Sequence, residues 1–267
     1  MTNASALLRQ HGLRPNKRLG QNFLVDEHHL ERIVEASGVT SSDEVLEVGA
    51  GLGSLTRHLA AAARRVVAVE LDRGLLPALQ QELAAFDNVK LVQGDILHMQ
   101  LSEHINASGF LVIANIPYYL TSNLIRHLLE SEPRPSRLAL TIQREVAERA
   151  SAQPPGMSLL SLSVQLYGRP RIAHHIPAGA FYPAPKVDSA LLIVELFDAP
   201  ALPENKVEDF FALAKAAFSQ KRKTLANSLA SLPGLTKPQA EARLEMAGID
   251  PRRRPQTLSI EEWGRLL

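Results

Sequence analysis

The decapeptide Glu44-Val-Leu-Glu-Val-Gly49-Ala-Gly51-Leu-Gly53 limits the fold more than any other segment. Its first half is β-branched and apolar, as a buried strand requires. Its second half carries glycines at i, i+2 and i+4, so the backbone turns sharply at the strand's carboxyl end. Ser54 and the apolar positions Leu55, Leu59 and Ala62 then start a helix. A strand that passes through a tight turn into a helix is the opening of a βαβ unit, and that unit needs a parallel sheet covered on both faces.

The next 150 residues repeat the pattern. Short apolar runs at Val66–Glu70, Val89–Val92, Phe110–Ala114, Leu138–Ile142, Leu162–Tyr167 and Ala190–Leu196 predict further strands. Between them lie helical periodicities: Leu30, Ile33 and Val34 behind an Asp26 cap; Leu75, Leu76, Leu79 and Leu83; and Leu124, Ile125, Leu128 and Leu129. Gln153-Pro-Pro-Gly156 predicts a surface loop. Past the Asp198–Pro203 linker the strand signal stops, and Val207–Phe218, Lys221–Leu232, Pro238–Ala247 and Ile260–Leu267 predict short helices. The expected division is an α/β domain over residues 1–200, with a basic arm at 1–25, and a small helical domain over 201–267. No internal repeat is found.

Composition removes several classes. With 267 residues and 45% hydrophobic content, the chain can bury a full core. Its apolar runs are broken by charge before the roughly 18 residues that cross a bilayer, and no signal pattern opens it, so a cytoplasmic location is expected. Cysteine is absent, which excludes disulfides, thiolate metal sites and cysteine nucleophiles. The nine histidines show no metal-binding spacing, so no metal is expected, and His28-His29 and His174-His175 are expected at the surface. The net charge of +1 is unevenly spread. Residues 1–25 hold Arg9, Arg14, Lys17 and Arg18 without an acid, and Arg134, Arg137, Arg144, Arg149, Arg169, Arg171 and Lys186 face only Glu145 and Glu148. Such basic surface suits phosphate, although solvated faces have the same composition.

The glycine turn alone fits a plain strand-to-helix turn, a dinucleotide site or another adenosine-containing cofactor. Two features separate these. The glycine spacing differs from the i, i+2, i+5 of the NAD fingerprint, and Glu70 ends the second strand 21 residues after Gly49, where a carboxylate accepts two ribose hydroxyls. Asp95, in Gln93-Gly94-Asp95-Ile96, follows the third strand at the same edge, suited to an adenine amine or to capping a turn. Glycine turn, Glu70 and Asp95 after three successive strands resemble the layout of class I methyltransferases, a Rossmann-like sheet that uses S-adenosyl-L-methionine.

The fourth strand ends in Asn115-Ile116-Pro117-Tyr118. An adenine amine is a poor nucleophile because its lone pair is drawn into the ring, so an enzyme must aim it and accept its protons. Asn115 offers a neutral acceptor, Pro117 stiffens the main-chain carbonyls beside it, and Tyr118 can stack on a base. Without cysteine, methylation of a pyrimidine carbon through a thiol adduct is excluded.

Taken with Lys17-Arg-Leu-Gly-Gln-Asn-Phe-Leu24, Phe181-Tyr-Pro-Ala-Pro-Lys-Val-Asp-Ser189 and Phe218-Ser-Gln-Lys-Arg-Lys-Thr-Leu225, these motifs make the chain resemble the KsgA/RsmA family of small-subunit ribosomal RNA adenine dimethyltransferases over nearly its whole length. The resemblance implies transfer of methyl groups from S-adenosyl-L-methionine to the N6 amines of two adjacent adenines in the 3′-terminal hairpin of 16S rRNA, by a monomer. It implies that Asn22, Leu24, Gly49, Gly51, Glu70, Asp95 and Asn115 surround the cofactor, with Gln21–Leu24 as a lid. It also implies that Phe181 faces Tyr118 across a flipped-out adenine, that Asn115, Pro117, Tyr118 and Phe181 form the catalytic set, and that Lys186, Lys221, Arg222 and Lys223 contact RNA. Arg252-Arg253-Arg254 is a further candidate for phosphate. Tyr119 after the tetrapeptide and Ala184 between two prolines depart from many relatives. An adenine methyltransferase for DNA or large-subunit RNA, and an RNA-binding assembly factor that keeps the fold, are the competing readings.

Overall fold

The structure is a computed structural model that describes residues 4–106, 108–220, 222–232 and 234–267. In chain order the main elements are α1 (Ala4–Gln10), β1 (Phe23–Leu24), α2 (Glu27–Ser37), β2 (Glu44–Val48), α3 (Ser54–Ala62), β3 (Arg65–Glu70), α4 (Leu76–Leu83), β4 (Val89–Gln93), β5 (Leu111–Asn115), α5 (Thr121–Leu129), β6 (Arg137–Gln143), α6 (Arg144–Ser151), α7 (Leu159–Gln165), β7 (Gly168–Ile176), β8 (Phe181–Tyr182), β9 (Ser189–Leu196), α8 (Glu204–Ser219), α9 (Leu225–Leu229), α10 (Lys237–Met246) and α11 (Ile260–Gly264). They form two compact units, one of Met1–Ala147 with Arg171–Leu196 and the other of Glu148–Pro170 with Phe197–Leu267.

A seven-stranded sheet of order β4-β3-β2-β5-β6-β9-β7 builds the first unit. Strands β4 to β6 are mutually parallel, and β9 runs antiparallel to β6 with Leu140 opposite Leu192. Because β2 lies between β3 and β5, the chain reverses its winding there, and the crevice of an open α/β sheet forms at such a point beyond the carboxyl ends of the strands. Strand β2 is buried along its whole length, and the core beneath it joins Leu30, Ile33, Leu59, Leu79, Ile113 and Ile193. Asp26 caps α2 as expected, accepting from His29 N at 3.2 Å.

The second unit has its own core, in which Phe210, Phe218 and Trp263 pack with Leu162, Leu229 and Leu244. The Phe210 and Trp263 rings meet edge to face, 6.5 Å between centroids. Three of its helices begin in a capping box, α7 at Ser158, α10 at Thr236 and α11 at Ser259.

Two expectations need correction. Leu162–Tyr167, expected as a strand, lies largely within helix α7. The alternating Leu-Ser-Leu-Ser-Val-Gln-Leu run mimics a strand, but the Ser158 capping box starts a helix through it, with Ser161, Leu162 and Val164 buried. The strand in this region is β7, which begins at the next residue, Gly168, and whose Pro170 and four basic or histidine neighbours hid it. It is tolerated because β7 is the last strand of the sheet. The division at residue 200 also differs from the compact units, since Glu148–Pro170 groups with the C-terminal helices.

Candidate active site

Four parallel strands deliver one residue each to the same edge: Gly49 after β2, Glu70 at the end of β3, Asp95 after β4 and Asn115 at the end of β5. All four line a cleft of about 230 Å³. Asn22, Gly51, Pro117, Tyr118 and Phe181 line it too, so the structure brings together every expected cofactor and acceptor residue except Leu24. Leu24 is buried in the core and borders a smaller, water-sized hollow that shares Gly49, Gly51, Phe23 and Asn115 with the cleft.

The glycine turn wraps around the end of the neighbouring strand. Gly49 N and Ala50 N both donate to Val69 O, and Gly49 and Gly51 hold φ of +78° and +60°. At Gly51 a side chain would also lie 3.1 Å from the Phe23 ring. The turn and Glu70 are locked together: Glu70 Oε2 accepts from Gly51 N at 2.8 Å and Oε1 from Asp72 N at 2.7 Å. Each oxygen keeps a lone pair for a further donor. Burial raises the Glu70 pKa, against the backbone donors of Asp72, Gly51 and Leu71 that lower it. Asp95 caps the turn that follows, its Oδ1 accepting from Leu97 N at 3.0 Å, while the residue remains in the cleft wall. The capping and ligand-facing readings of Asp95 therefore coexist.

A strap formed by residues 16–24 crosses one side. Asn16 caps a short 3₁₀ turn, Lys17–Leu19, which Gly20 ends in the left-handed region. Gln21 Nε2 then donates to Asp72 Oδ2 at 2.8 Å, and Phe23 and Leu24 pair antiparallel with Tyr182 and Phe181 of β8. The strap also fixes Asn115, whose Nδ2 donates to Asn22 O at 3.1 Å. The amide plane is thereby set, and no described residue donates to Asn115 Oδ1. In the same tetrapeptide, Pro117 O accepts from Leu120 N and Tyr118 O from the Thr121 hydroxyl, whereas the Ile116 carbonyl meets no described donor. Two carbonyl acceptors thus remain in one short segment.

Tyr118 is held at its far end by a 2.8 Å hydrogen bond between its hydroxyl and the buried Ser189 Oγ, which ties the tetrapeptide to the end of the Phe181–Ser189 motif. Phe181 is both a core residue and part of the cleft wall. In the same loop Lys186 is exposed, and Asp188 pairs with Arg144 (3.5 Å) and accepts from Ala178 N.

Glu47, which the sequence marks only as the start of the glycine motif, is the most perturbed acid beside the cleft. It sits on the buried strand β2 at the small hollow, 1% exposed, with Oε2 unpartnered. Burial pushes its pKa to about 8, the neighbouring Thr56 hydroxyl acting in the opposite direction and the Glu70 charge adding to the rise. The signal was present in the sequence, a carboxylate between Leu46 and Val48 in a buried strand.

Elsewhere the basic candidates divide. Arg222 and Lys223 are exposed around a surface hollow with Phe218, Ser219 and Gln220, and Lys221 lies outside the described residues. Arg253 is structural, bound to Glu262 and Thr257, and Arg252 pairs with Asp250. Arg137 is likewise committed, to Glu195 and to Ser37 O. Of the paired histidines, His28 and His175 are exposed as expected, whereas the half-buried His29 and His174 are hydrogen bonded to each other, Nδ1 to Nε2, at 2.8 Å. No helix among the described residues is long and apolar enough to cross a membrane.

The family model for ribosomal RNA adenine dimethylase matches residues 12–267. The chain belongs to the ribosomal RNA adenine dimethylase family. This dimethylase is 42% identical over its whole length to a ribosomal RNA small subunit methyltransferase A of Dehalococcoides mccartyi, covering 92% of that protein. It is 43% identical, over 98% of its own length and 94% of the relative's, to the protein of that name in Moorella thermoacetica. Among solved structures, the 23S rRNA methyltransferase ErmE superposes with a TM-score of 0.75 at 28% identity, covering 92% of the dimethylase and 98% of ErmE. A dimethyladenosine transferase from Plasmodium falciparum shares the fold, with a TM-score of 0.79 at 24% identity over 92% and 96% of the two chains. The dimethylase is thus an adenine-methylating enzyme with a Rossmann-like sheet.

Proposed function

We propose that this dimethylase uses S-adenosyl-L-methionine to convert two adjacent adenines in the 3′-terminal hairpin of 16S rRNA to N6,N6-dimethyladenine, acting in the cytoplasm on the small ribosomal subunit or its precursor. The observation that carries the reading is the pair of unengaged carbonyl oxygens, Asn115 Oδ1 and Ile116 O, beside a tyrosine ring whose far end is pinned to Ser189.

The cleft suits the cofactor. Glu70 stands ready to accept ribose hydroxyls, its two oxygens oriented by Gly51 N and Asp72 N. Asp95 suits the adenine amine, Gly49 and Gly51 admit the ligand against bare backbone, and the orphan oxygen of Glu47 provides an acceptor at the glycine turn. Two acidic side chains in the cleft wall, Glu70 and Asp95, favour a cationic ligand. When bound, S-adenosyl-L-methionine supplies an electrophilic methyl group on its sulfonium.

The remaining work falls to the chain. Asn115 Oδ1 and the Ile116 carbonyl accept hydrogen bonds from the N–H groups of the adenine amine and so turn its lone pair toward the cofactor side, an orientation the free base does not hold. Tyr118 and Phe181 take the two faces of the extruded ring, which recovers stacking lost from the RNA. Lys186, Arg222 and Lys223 suit phosphate, as does Lys221 by sequence. Small-subunit RNA is favoured over 23S rRNA because the 42–43% identical relatives carry that name across their whole length, against 28% for ErmE.

Incubation with labelled S-adenosyl-L-methionine and, separately, unmethylated small subunits, large subunits and DNA tests the reading. Label is expected in small-subunit RNA alone; label confined to 23S rRNA or DNA overturns it.

A further inference from the structure

Among the described residues, five large apolar side chains are exposed: Leu71, Tyr119, Tyr182, Val187 and Met246. Exposed apolar residues scattered singly carry no message, but four of these five are not scattered. Leu71 and Tyr119 line the cleft, and Tyr182 and Val187 belong to the 181–189 loop that supplies Phe181 to its wall. The chemistry proposed above uses none of the four. Lys17 and Arg18 in the strap and Lys186 in that loop are exposed as well. An apolar rim with cations beside it suits a ligand that is both aromatic and anionic, as a nucleic-acid strand with unstacked bases is.

Tyr119 is the best placed of the four. The residue is 58% exposed, and its hydroxyl has no hydrogen-bond partner among the described residues. Its backbone is held on both sides: a short 3₁₀ turn, Tyr118–Leu120, leads into α5, Leu120 N donates to Pro117 O, and the Thr121 hydroxyl donates to Tyr118 O. One edge of the ring rests on Gly20, where a Cβ would stand 3.3 Å from the ring and 3.7 Å from Pro117. Gly20 in turn belongs to a strap anchored by the buried Phe23 and Leu24. The ring is thus fixed before any ligand arrives, which lowers the entropy cost of stacking on it. Burial, followed by the Asp95 and Glu70 charges, raises the pKa of its hydroxyl, so that end lies toward the acidic wall of the cleft. More than half of the residue still remains open to solvent, and a ligand held on Glu70 and Asp95 does not account for that surface.

The reaction itself supplies an occupant. An adenine extruded into the slot beside Tyr118 leaves its chain neighbour with one bare face. Tyr119 is the next residue along, with its Cα about 3.8 Å from that of Tyr118, so a base joined to the extruded one through a single phosphate arrives at this rim. The proposed target carries its second adenine there. A protein partner fits less well, because four side chains offer far less than the roughly 800 Å² that each side of a stable protein interface buries.

We infer that Tyr119 stacks on the adenine adjacent to the one in the Tyr118 slot and so positions the pair for methylation. This rests on the tandem-adenine reading above. Tyr119 is then a positioning residue for the RNA, and because a purine gains more from the ring than a pyrimidine does, the contact also selects for adenine beside the target.

The test follows each adenine of the pair by mass spectrometry of nuclease fragments, at saturating S-adenosyl-L-methionine, in unmethylated small subunits and in subunits whose neighbouring adenine is replaced by uracil. Tyr119→Ala is expected to lower kcat/KM on unaltered subunits by about tenfold or more, mostly through KM, and Tyr119→Phe to restore it. S-adenosylhomocysteine affinity, measured by calorimetry, should stay within about twofold of wild type in both variants. At one of the two positions, uracil as neighbour should cost the wild type about fivefold and the alanine variant less than about twofold, since its stacking partner is already gone. A kcat/KM within about twofold of wild type in the alanine variant overturns the inference. So do losses from uracil and alanine that simply multiply, which would make the ring and the neighbouring base independent, and so does a fall in cofactor affinity that accounts for the lost rate. Failure of the wild type to methylate unaltered subunits instead overturns the small-subunit reading.

Discussion

Glu47→Gln isolates the most costly buried group beside the cleft. In the folded chain the buried carboxyl has a pKa of about 8, against an ordinary 4.5. The folded state holds its proton more tightly than the unfolded chain, so stability is fullest below the unfolded pKa and declines as pH rises from 4.5 toward about 8. At ~1.36 kcal/mol per unit, the loss reaches about 3 kcal/mol at pH 7 and about 5 kcal/mol above pH 8. Glutamine has nearly the same shape and no titration. The two proteins should agree within about 1 kcal/mol at pH 5, and the variant should become the more stable by about 3 kcal/mol at pH 7, on the order of 10 °C in Tm. Thermal and urea unfolding of cofactor-free protein at several pH values between 5 and 8 measures this. Other carboxylates titrate alike in both proteins and cancel in the difference. A difference that stays flat from pH 5 to 8 would refute a protonated, desolvated Glu47.

Three further outcomes follow from the cleft. Asn115→Ala should lower kcat by about 100-fold or more, the usual loss for one positioned polar group, while cofactor affinity measured by calorimetry falls much less; a near-normal rate removes Asn115 from its role. Glu70→Gln should weaken cofactor binding by about 1.5–3 kcal/mol, about ten- to 100-fold in Kd, because one charge-assisted acceptor becomes a donor that also faces Gly51 N or Asp72 N. Tyr118→Phe should cost about 1 kcal/mol of stability by leaving buried Ser189 unpaired, yet retain most activity because the ring stays, whereas Tyr118→Ala should lose transfer.

Much of the fold was legible because strands β2, β3, β5 and β6 are buried over nearly their whole length and so read as largely apolar runs. The parts that were not legible are those where burial is one-sided or local chemistry competes. Strand β7 lies at the sheet edge, where Pro170, Arg169 and Arg171 are permitted, and its residues carry no apolar run to find. Helix α7 alternates serine and leucine, and only the Ser158 cap distinguishes it from a strand.

The cleft was legible residue by residue because each strand end contributes a chemically distinct group. What no pattern could supply were the contacts between distant segments: Asn115 on Asn22, Tyr118 on Ser189, Gln21 on Asp72. Charge was the least legible property. Of the basic residues counted by sequence, Arg137, Arg144 and Arg253 are committed to internal carboxylates, while Lys17, Arg18 and Lys186 remain exposed.

The central claim, that this chain doubly methylates adenine N6 in small-subunit RNA, is tested most directly by mass spectrometry of nuclease fragments from unmethylated small subunits incubated with the protein and S-adenosyl-L-methionine. Two adjacent N6,N6-dimethyladenines in the 3′-terminal fragment of 16S rRNA are expected. An unmodified 3′-terminal fragment, or methyl groups on any other base or atom, would contradict it.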